Sequence, residues 1–373
     1  MKNQRMANIE LLRNISMFMV LAIHLFTKTS VLWNMDPKRP AYAASWLLYG
    51  LCMTGVNCYV IISGYFLCDS HFKLEKLLKI YVQVLFYSVI LALIAKYVLG
   101  LEMVSSWVAV LLPITNREYW FATIYLGMYC LTPFLNLLIK ALNQQQFQGL
   151  LAVLSIMFSI IPTFLHADGW LGDGGAYGIV WFVFLYLIGA YIKRYYHNNL
   201  HKRVWLLYIA AILLIPLSKL IIMAAGSLQH FIGTDKVLRI SEVLYGFNTV
   251  PALCASVLLF IGFLQLKIMN GTLITVINLS SGVTFGIYLI HNNRNLSHFL
   301  WGGVRIDYWL AERGNILVII LILCMVFAVC GLIEALRKFL FKILRVDRAV
   351  SRLAALLEDW LRFWQNGGIF GRT

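Results

Sequence analysis

The first apolar segment of the chain carries three side chains that can do acid–base or phosphate chemistry: Glu10, Arg13 and His24. A charged group inside a membrane-spanning helix costs about 3 kcal/mol and usually marks function. On an α-helix, Arg13 and His24 lie about 20° apart on one face and about 16 Å apart along the axis. An imidazole is a general base near neutral pH, and a guanidinium group is suited to phosphate. The spacing therefore predicts a cation near one membrane surface and a base near the other.

Glu10 lies three residues before Arg13, and this spacing favours an ion pair on a helix. A structural alternative stays open for all three residues. Glu10 and Arg13 would then extend to the membrane surface, and His24 would cap a helix end. The spacing alone identifies no substrate.

The composition indicates a membrane protein. Of the 373 residues, 61% are hydrophobic and 13% are charged, whereas about 25% are charged in a typical soluble domain. A single soluble core could not bury so much apolar surface, which excludes a cytosolic enzyme, a disordered chain and a collagen-like repeat. The net charge of +15 comes from basic residues spread between long apolar runs. That spread argues against a nucleic-acid partner, which needs one basic patch.

Segments long enough to cross a bilayer of about 30 Å hold roughly 20 apolar residues. The sequence predicts ten of them, near 9–27, 45–67, 78–99, 119–139, 150–166, 176–194, 204–224, 245–266, 272–291 and 315–341. The apolar piece 107–115 is too short to span, and predicts a re-entrant or interfacial segment. We therefore expect an all-α, polytopic bundle of about ten spanning helices, forming one membrane domain over residues 1–345.

The distribution of lysine and arginine predicts the orientation. With the N-terminus inside, about 20 of the 31 Lys and Arg residues fall in cytoplasmic segments, as the positive-inside rule requires. The outer segments carry basic and acidic residues in equal number. We therefore expect a multi-pass protein of the cell membrane with both termini in the cytoplasm.

The segment after the last span, 346–373, predicts an amphipathic tail. Apolar residues recur at helical spacing among arginines, namely Val350, Leu353, Leu357, Trp360, Leu361 and Trp364. This pattern is typical of a helix that lies on anionic membrane lipid. A helix that binds a partner protein is the alternative.

Four blocks of sequence resemble the acyltransferase 3 family of integral membrane acyltransferases. They are IELLRNISMFMVLAIH at 9–24, GVNCYVIISGYFL at 55–67, YWFATIYLGMYCLTPFLN at 119–136 and SSGVTFGIYLIH at 280–291. The first contains Arg13, ten intervening residues and His24. A fifth block, LKIYVQVLFYSV at 78–89, is similar to the Gram-positive branch of the family, whose members include glycan O-acetyltransferases.

The resemblance implies transfer of an acyl group, commonly acetyl, from cytoplasmic acetyl-CoA to a hydroxyl of an extracytoplasmic glycan of the cell wall or capsule. It implies that Arg13 binds the CoA phosphates and that His24 deprotonates the acceptor hydroxyl. Whether an acyl-histidine intermediate forms stays open. A proton-coupled transporter and a catalytically silent, glycan-binding relative are the alternatives.

Three further residues are candidates for substrate contact. The resemblance favours that role for Glu118 and Trp120, although Glu118 could instead pair with Arg117, and Trp120 could belong to the aromatic belt at the membrane surface. His291 would either support catalysis or bind the acceptor, or it would only end a helix. We expect no metal, because the cysteines and histidines lack the spacing of a metal site.

Overall fold

The computed structural model describes residues 6–36, 38–197, 203–224, 242–303, 305, 308–309 and 316–365. Within these ranges the regular structure is helical, without a β-strand. In chain order the α-helices are α1 (Ala7–Thr29), α2 (Val31–Asn34), α3 (Pro40–Leu51), α4 (Gly55–Leu67), α5 (Leu74–Leu93), α6 (Trp107–Leu111), α7 (Trp120–Ala141), α8 (Gln144–Ser155), α9 (Ile161–Leu165), α10 (Ile179–Tyr195), α11 (Arg203–Ala224), α12 (Val250–Gln265), α13 (Gly271–Ser281), α14 (Thr284–His291), α15 (Arg294–Gly303), α16 (Ile316–Ile343) and α17 (Val346–Gln365). Short 3-10 and π turns join several of them. The predicted all-α class is confirmed.

Seven stretches of the described chain are long and apolar enough to cross a membrane. They are Ala7–Thr29, Ala41–Leu67, Leu74–Val98, Trp120–Ala141, Gln144–Leu165, Gly271–His291 and Ile316–Ile343. Each coincides with a span predicted from sequence. The protein is therefore a multi-pass membrane protein.

The other three predicted spans coincide with α10, α11 and α12. Of these, α10 has 17 residues and α12 has 16, which is short for a bilayer core. Ten crossings therefore stay a prediction. The short apolar piece that begins at Trp107 forms helix α6, which has only five residues.

Helix α1 lies at the centre of the bundle, in contact with α3, α4, α12, α13, α14, α15 and α16. Beside it, α4 and α10 approach so closely that their backbones touch. A Cβ atom on Gly64 would overlap the Tyr186 carbonyl, and one on Gly189 would overlap the Ile61 carbonyl. Small residues allow this approach in membranes. The two glycines therefore fix the wall against which α1 packs.

A buried polar cluster joins α5, α14 and α16. Glu334 accepts hydrogen bonds from Tyr87 Oη (2.7 Å), Gln83 Nε2 (3.1 Å) and Arg337 Nε (2.8 Å). Its side chain is 1% exposed. Gly286 of α14 leaves the space that this carboxylate occupies. The cluster satisfies a buried charge that would otherwise be very costly in a membrane, and so it fixes how the three helices pack.

Helix α17 confirms a helix over Val346–Gln365, within the segment predicted to form an amphipathic tail. It packs on α5, where the Ser351 hydroxyl donates to Glu75 at 2.7 Å. Val350 is buried and Leu356 is 68% exposed, so part of its apolar surface has no protein cover in the described chain. The side chains of Trp360, Leu361 and Trp364 lie outside the described part. That α17 lies on membrane lipid stays a prediction.

Candidate active site

A cavity of about 500 Å³ opens beside the C-terminal half of α1. Its walls come from α1, α4, the start of α7, the loop before α10 and the region around α14. Its polar and aromatic lining includes His24, Lys28, Tyr59, Glu118, Trp120, Asp168, Tyr177, Tyr288 and Arg294. Three residues predicted from sequence, His24, Glu118 and Trp120, therefore meet at one cavity.

Two histidines form a hydrogen-bonded pair at its wall. His24 Nδ1 lies 2.8 Å from His291 Nε2, and His291 Nδ1 lies 2.6 Å from the Ile287 carbonyl oxygen. A carbonyl oxygen only accepts, so His291 must carry its proton on Nδ1. When His291 is neutral, its Nε2 accepts the proton of His24 Nδ1. The two hydrogen bonds together assign the tautomer of His24.

This tautomer leaves His24 Nε2 as a free lone pair. Within the described residues no hydrogen-bond partner faces it, and the side chain is partly exposed to the cavity. His291 is 0% exposed and lies behind His24, away from a substrate. The pair has the geometry of a base and the group that orients it.

Tyr288 holds the pair in place. Its ring lies 6.4 Å from that of His24 and 6.2 Å from that of His291, between ring centroids. Its hydroxyl accepts a hydrogen bond from the Phe121 backbone amide at 3.3 Å. Tyr288 thus connects α14, which carries His291, to the first turn of α7.

Glu118 is buried at the start of α7. It accepts a 2.7 Å hydrogen bond from the Ser105 hydroxyl and lies 3.7 Å from Arg294 Nη1. Its ion-pair partner is therefore Arg294, rather than the adjacent Arg117 that the sequence suggested. Trp120 packs edge-on to Tyr177, 4.9 Å between ring centroids, and the two rings form an aromatic wall of the cavity.

The glycine-rich loop before α10 brings Asp168 to the cavity. The Asp168 carboxylate accepts from Asn248 Nδ2 at 2.7 Å and from the Ala176 amide at 3.2 Å. Gly175 has a φ of +56°, and a Cβ atom there would overlap the carboxylate. Only glycine fits that position. The loop is fixed against the cavity by these contacts.

Arg13 does not line the cavity with His24. Its Nη1 lies 3.0 Å from Glu10 Oε2, which confirms the predicted ion pair. Tyr59 lies between the two regions: it lines the cavity, and it interacts electrostatically with both Arg13 and Glu10. The Tyr59 hydroxyl is buried close to the Thr284 side chain, but it forms no hydrogen bond of ordinary geometry among the described residues. A polar group of a substrate would satisfy it.

Lys28 and Tyr288 were not singled out from the sequence, although both line the cavity. The signal for Lys28 was available, because it follows His24 by four residues and therefore shares its helix face. The signal for Tyr288 was weaker, since an aromatic residue in an apolar helix is usually packing. Within the described ranges, no group of three or more His, Cys, Asp and Glu side chains could hold a metal ion.

Comparison with protein families gives a match to most of the chain. Residues 6–335 match the family model described as an acyltransferase domain, which covers nearly the whole chain. No curated protein and no solved structure matches. The matched range includes every residue of the histidine pair and of the cavity lining.

Proposed function

The chain belongs to the acyltransferase 3 family, and on that premise we propose that it is a membrane O-acyltransferase. It transfers an acyl group, acetyl by preference, from cytoplasmic acyl-CoA to a hydroxyl of an extracytoplasmic cell-wall or capsular glycan. The observation that carries the proposal is the free Nε2 of His24 facing a cavity large enough for a sugar. The match to an acyltransferase domain favours this function over a proton-coupled transporter.

His24 is the general base of the reaction. Its Nε2 takes the proton of the acceptor hydroxyl while the oxygen attacks the thioester carbonyl. The C–S bond then breaks, and the thiolate leaves with the proton that His24 holds, giving CoA as a free thiol. His291 Nε2 accepts a hydrogen bond from His24 Nδ1 throughout, which holds the imidazole in the tautomer and orientation that proton transfer needs. His291 thus acts as a positioning residue, which is the catalytic support that the sequence left open beside acceptor binding.

Arg13 binds the acyl donor. It lies about 16 Å along α1 from His24, towards the terminus that the charge distribution places in the cytoplasm. Its guanidinium pairs with Glu10 but keeps 29% of its side chain exposed, so it can add a CoA phosphate to its contacts. The Tyr59 hydroxyl, close to Thr284 and within electrostatic reach of Arg13, lies between Arg13 and the cavity. It offers a polar contact to the pantetheine amides.

Glu118, Trp120 and Tyr177 serve the acceptor. The edge-on aromatic pair of Trp120 and Tyr177 presents an apolar surface of the kind that packs on a sugar ring. Glu118 holds Arg294 beside the cavity and accepts hydrogen bonds. These contacts would place one acceptor hydroxyl at His24 Nε2.

The function is tested by analysis of the acyl groups on surface glycans from cells with and without the gene. We expect ester-linked acetyl groups to disappear when the gene is deleted and to return with the wild-type gene. The gene with His298→Ala should restore the acetyl groups as well, because His298 is an exposed histidine that does not line the cavity. Identical acetyl content in cells with and without the gene would refute the proposal.

A further inference from the structure

The charged residues around the cavity are unequal in their pairing. Lys28, Arg117 and Arg294 are basic, and Glu118 and Asp168 are acidic. Both carboxylates are already satisfied: Glu118 by Ser105 and Arg294, and Asp168 by an amide side chain and a backbone amide. Both acidic side chains of the cavity are therefore engaged within the protein, and the three basic residues outnumber them.

Lys28 is the cation with the clearest lack of a partner. In the described part of the chain, its ammonium group makes no salt bridge and no hydrogen bond, although it lines the cavity. It lies close enough to Arg294 for electrostatic repulsion, and it repels positive charge on His24 and on His291 as well. Two like charges held together at a partly buried cavity are unfavourable. A bound anion would remove that cost.

The position of Lys28 relates this charge to the chemistry. It follows His24 by one helical turn, about 6 Å along the axis, on the same face of α1. Arg294 lies across the cavity mouth, held by Glu118 and by a 3.0 Å hydrogen bond to the Arg117 carbonyl. An anion between Lys28 and Arg294 would thus lie in the same cavity as His24, about one helical turn further along α1.

We propose that the acceptor carries a carboxylate or phosphate group, which Lys28 and Arg294 bind while the hydroxyl to be acylated lies at His24. This proposal rests on the proposed acyltransferase function and narrows its substrate to an anionic glycan. The segments predicted to be outer carry no net charge as a whole, so the proposed preference rests on the cavity residues. Carboxylate and phosphate bind guanidinium and ammonium groups by the same charge-assisted hydrogen bonds.

The first test fractionates the surface glycans by charge. Cells with and without the gene are grown on labelled acetate, and their glycans are separated on an anion-exchange resin into neutral and acidic fractions. We expect the label that depends on the gene in the acidic fraction. Label that depends on the gene in the neutral fraction alone would overturn the anionic acceptor and leave the acyltransferase intact. Equal label in both strains would refute the acyltransferase itself.

The second test assigns the anion to the acceptor rather than to the phosphates of CoA. Membranes with wild type, Lys28→Gln or Lys28→Arg are given labelled acetyl-CoA and the acidic glycan from the deletion strain. We expect Lys28→Gln to raise KM for the glycan about tenfold, the loss expected for one charge-assisted hydrogen bond, and Lys28→Arg to restore most of it. KM for acetyl-CoA should not change.

Two outcomes of this assay contradict the proposal. A rise in KM for acetyl-CoA would show that Lys28 binds a phosphate of the donor. A fall in kcat with both KM values unchanged would show that the Lys28 charge stabilises the transition state instead. The matched control is Lys38→Gln, which removes an exposed lysine of the same predicted outer segment that does not line the cavity. It should retain wild-type kinetics.

Discussion

The hydrogen bond from His24 to His291 determines what each histidine can do. Because the Ile287 carbonyl fixes the proton of His291 on Nδ1, the free lone pair of the couple faces the cavity on His24. The 267 residues that separate the two positions in sequence hide this relation. The sequence identified both histidines, but a contact between helices depends on how the helices pack.

Two substitutions test whether His291 acts by accepting the hydrogen bond of His24 or only by filling space. His291→Leu removes the acceptor for the His24 proton, whereas His291→Gln keeps an oxygen that can accept it. We expect kcat to fall at least tenfold in the leucine variant and less in the glutamine variant, with KM values close to wild type. Equal loss in both variants would contradict the positioning role. The measurement is acetyl transfer in membranes.

Gly286 gives a prediction for the packing of α14 against α16. A Cβ atom at this position would overlap the Glu334 carboxylate, so Gly286→Ala must displace a buried ionic cluster. We expect a loss of about 1–3 kcal/mol in the free energy of unfolding, seen as a lower melting temperature in detergent. Gly271→Ala is the control, because the space around Gly271 is open. Equal melting temperatures for the two variants would show that α14 and α16 do not pack as described.

The ion pair of Glu334 and Arg337 allows a second test of the same helices. Glu334→Leu leaves the Arg337 guanidinium buried without its carboxylate, which typically costs 3–5 kcal/mol. The double variant Glu334→Leu with Arg337→Leu removes both charges, and we expect it to melt well above the single variant. A double variant no more stable than the single one would show that the charge pair is not what the cluster requires.

Prediction from sequence was most accurate for the positions of the helices. Runs of apolar residues located all seven stretches of the described chain that are long and apolar enough to cross a membrane, because a bilayer demands such runs. The ion pair of Glu10 and Arg13 followed from helical spacing alone. The partner of Glu118 did not, because Arg294 lies 176 residues away and reaches it only where the segment before α7 meets the first residue of α15. Contacts of this kind have no local signal.

At the scale of the whole molecule, the charge distribution predicts the orientation. The excess of lysine and arginine lies in segments that are cytoplasmic only if the N-terminus is inside. We expect an impermeant maleimide to label Lys38→Cys in intact cells, and to label Lys267→Cys only after the membrane is opened. Both residues are exposed. The reverse pattern would invert the topology, and would place His24 towards the cytoplasm.

The central claim is that His24 Nε2 takes the proton of the acceptor hydroxyl, and it is tested most directly by the rate of acetyl transfer in His24→Ala. Membranes that hold wild type or His24→Ala are supplied with labelled acetyl-CoA and glycan from the deletion strain. Loss of a general base predicts a fall in kcat of about 100-fold or more, at an unchanged melting temperature. A folded His24→Ala protein that transfers acetyl groups at the wild-type rate would contradict the mechanism.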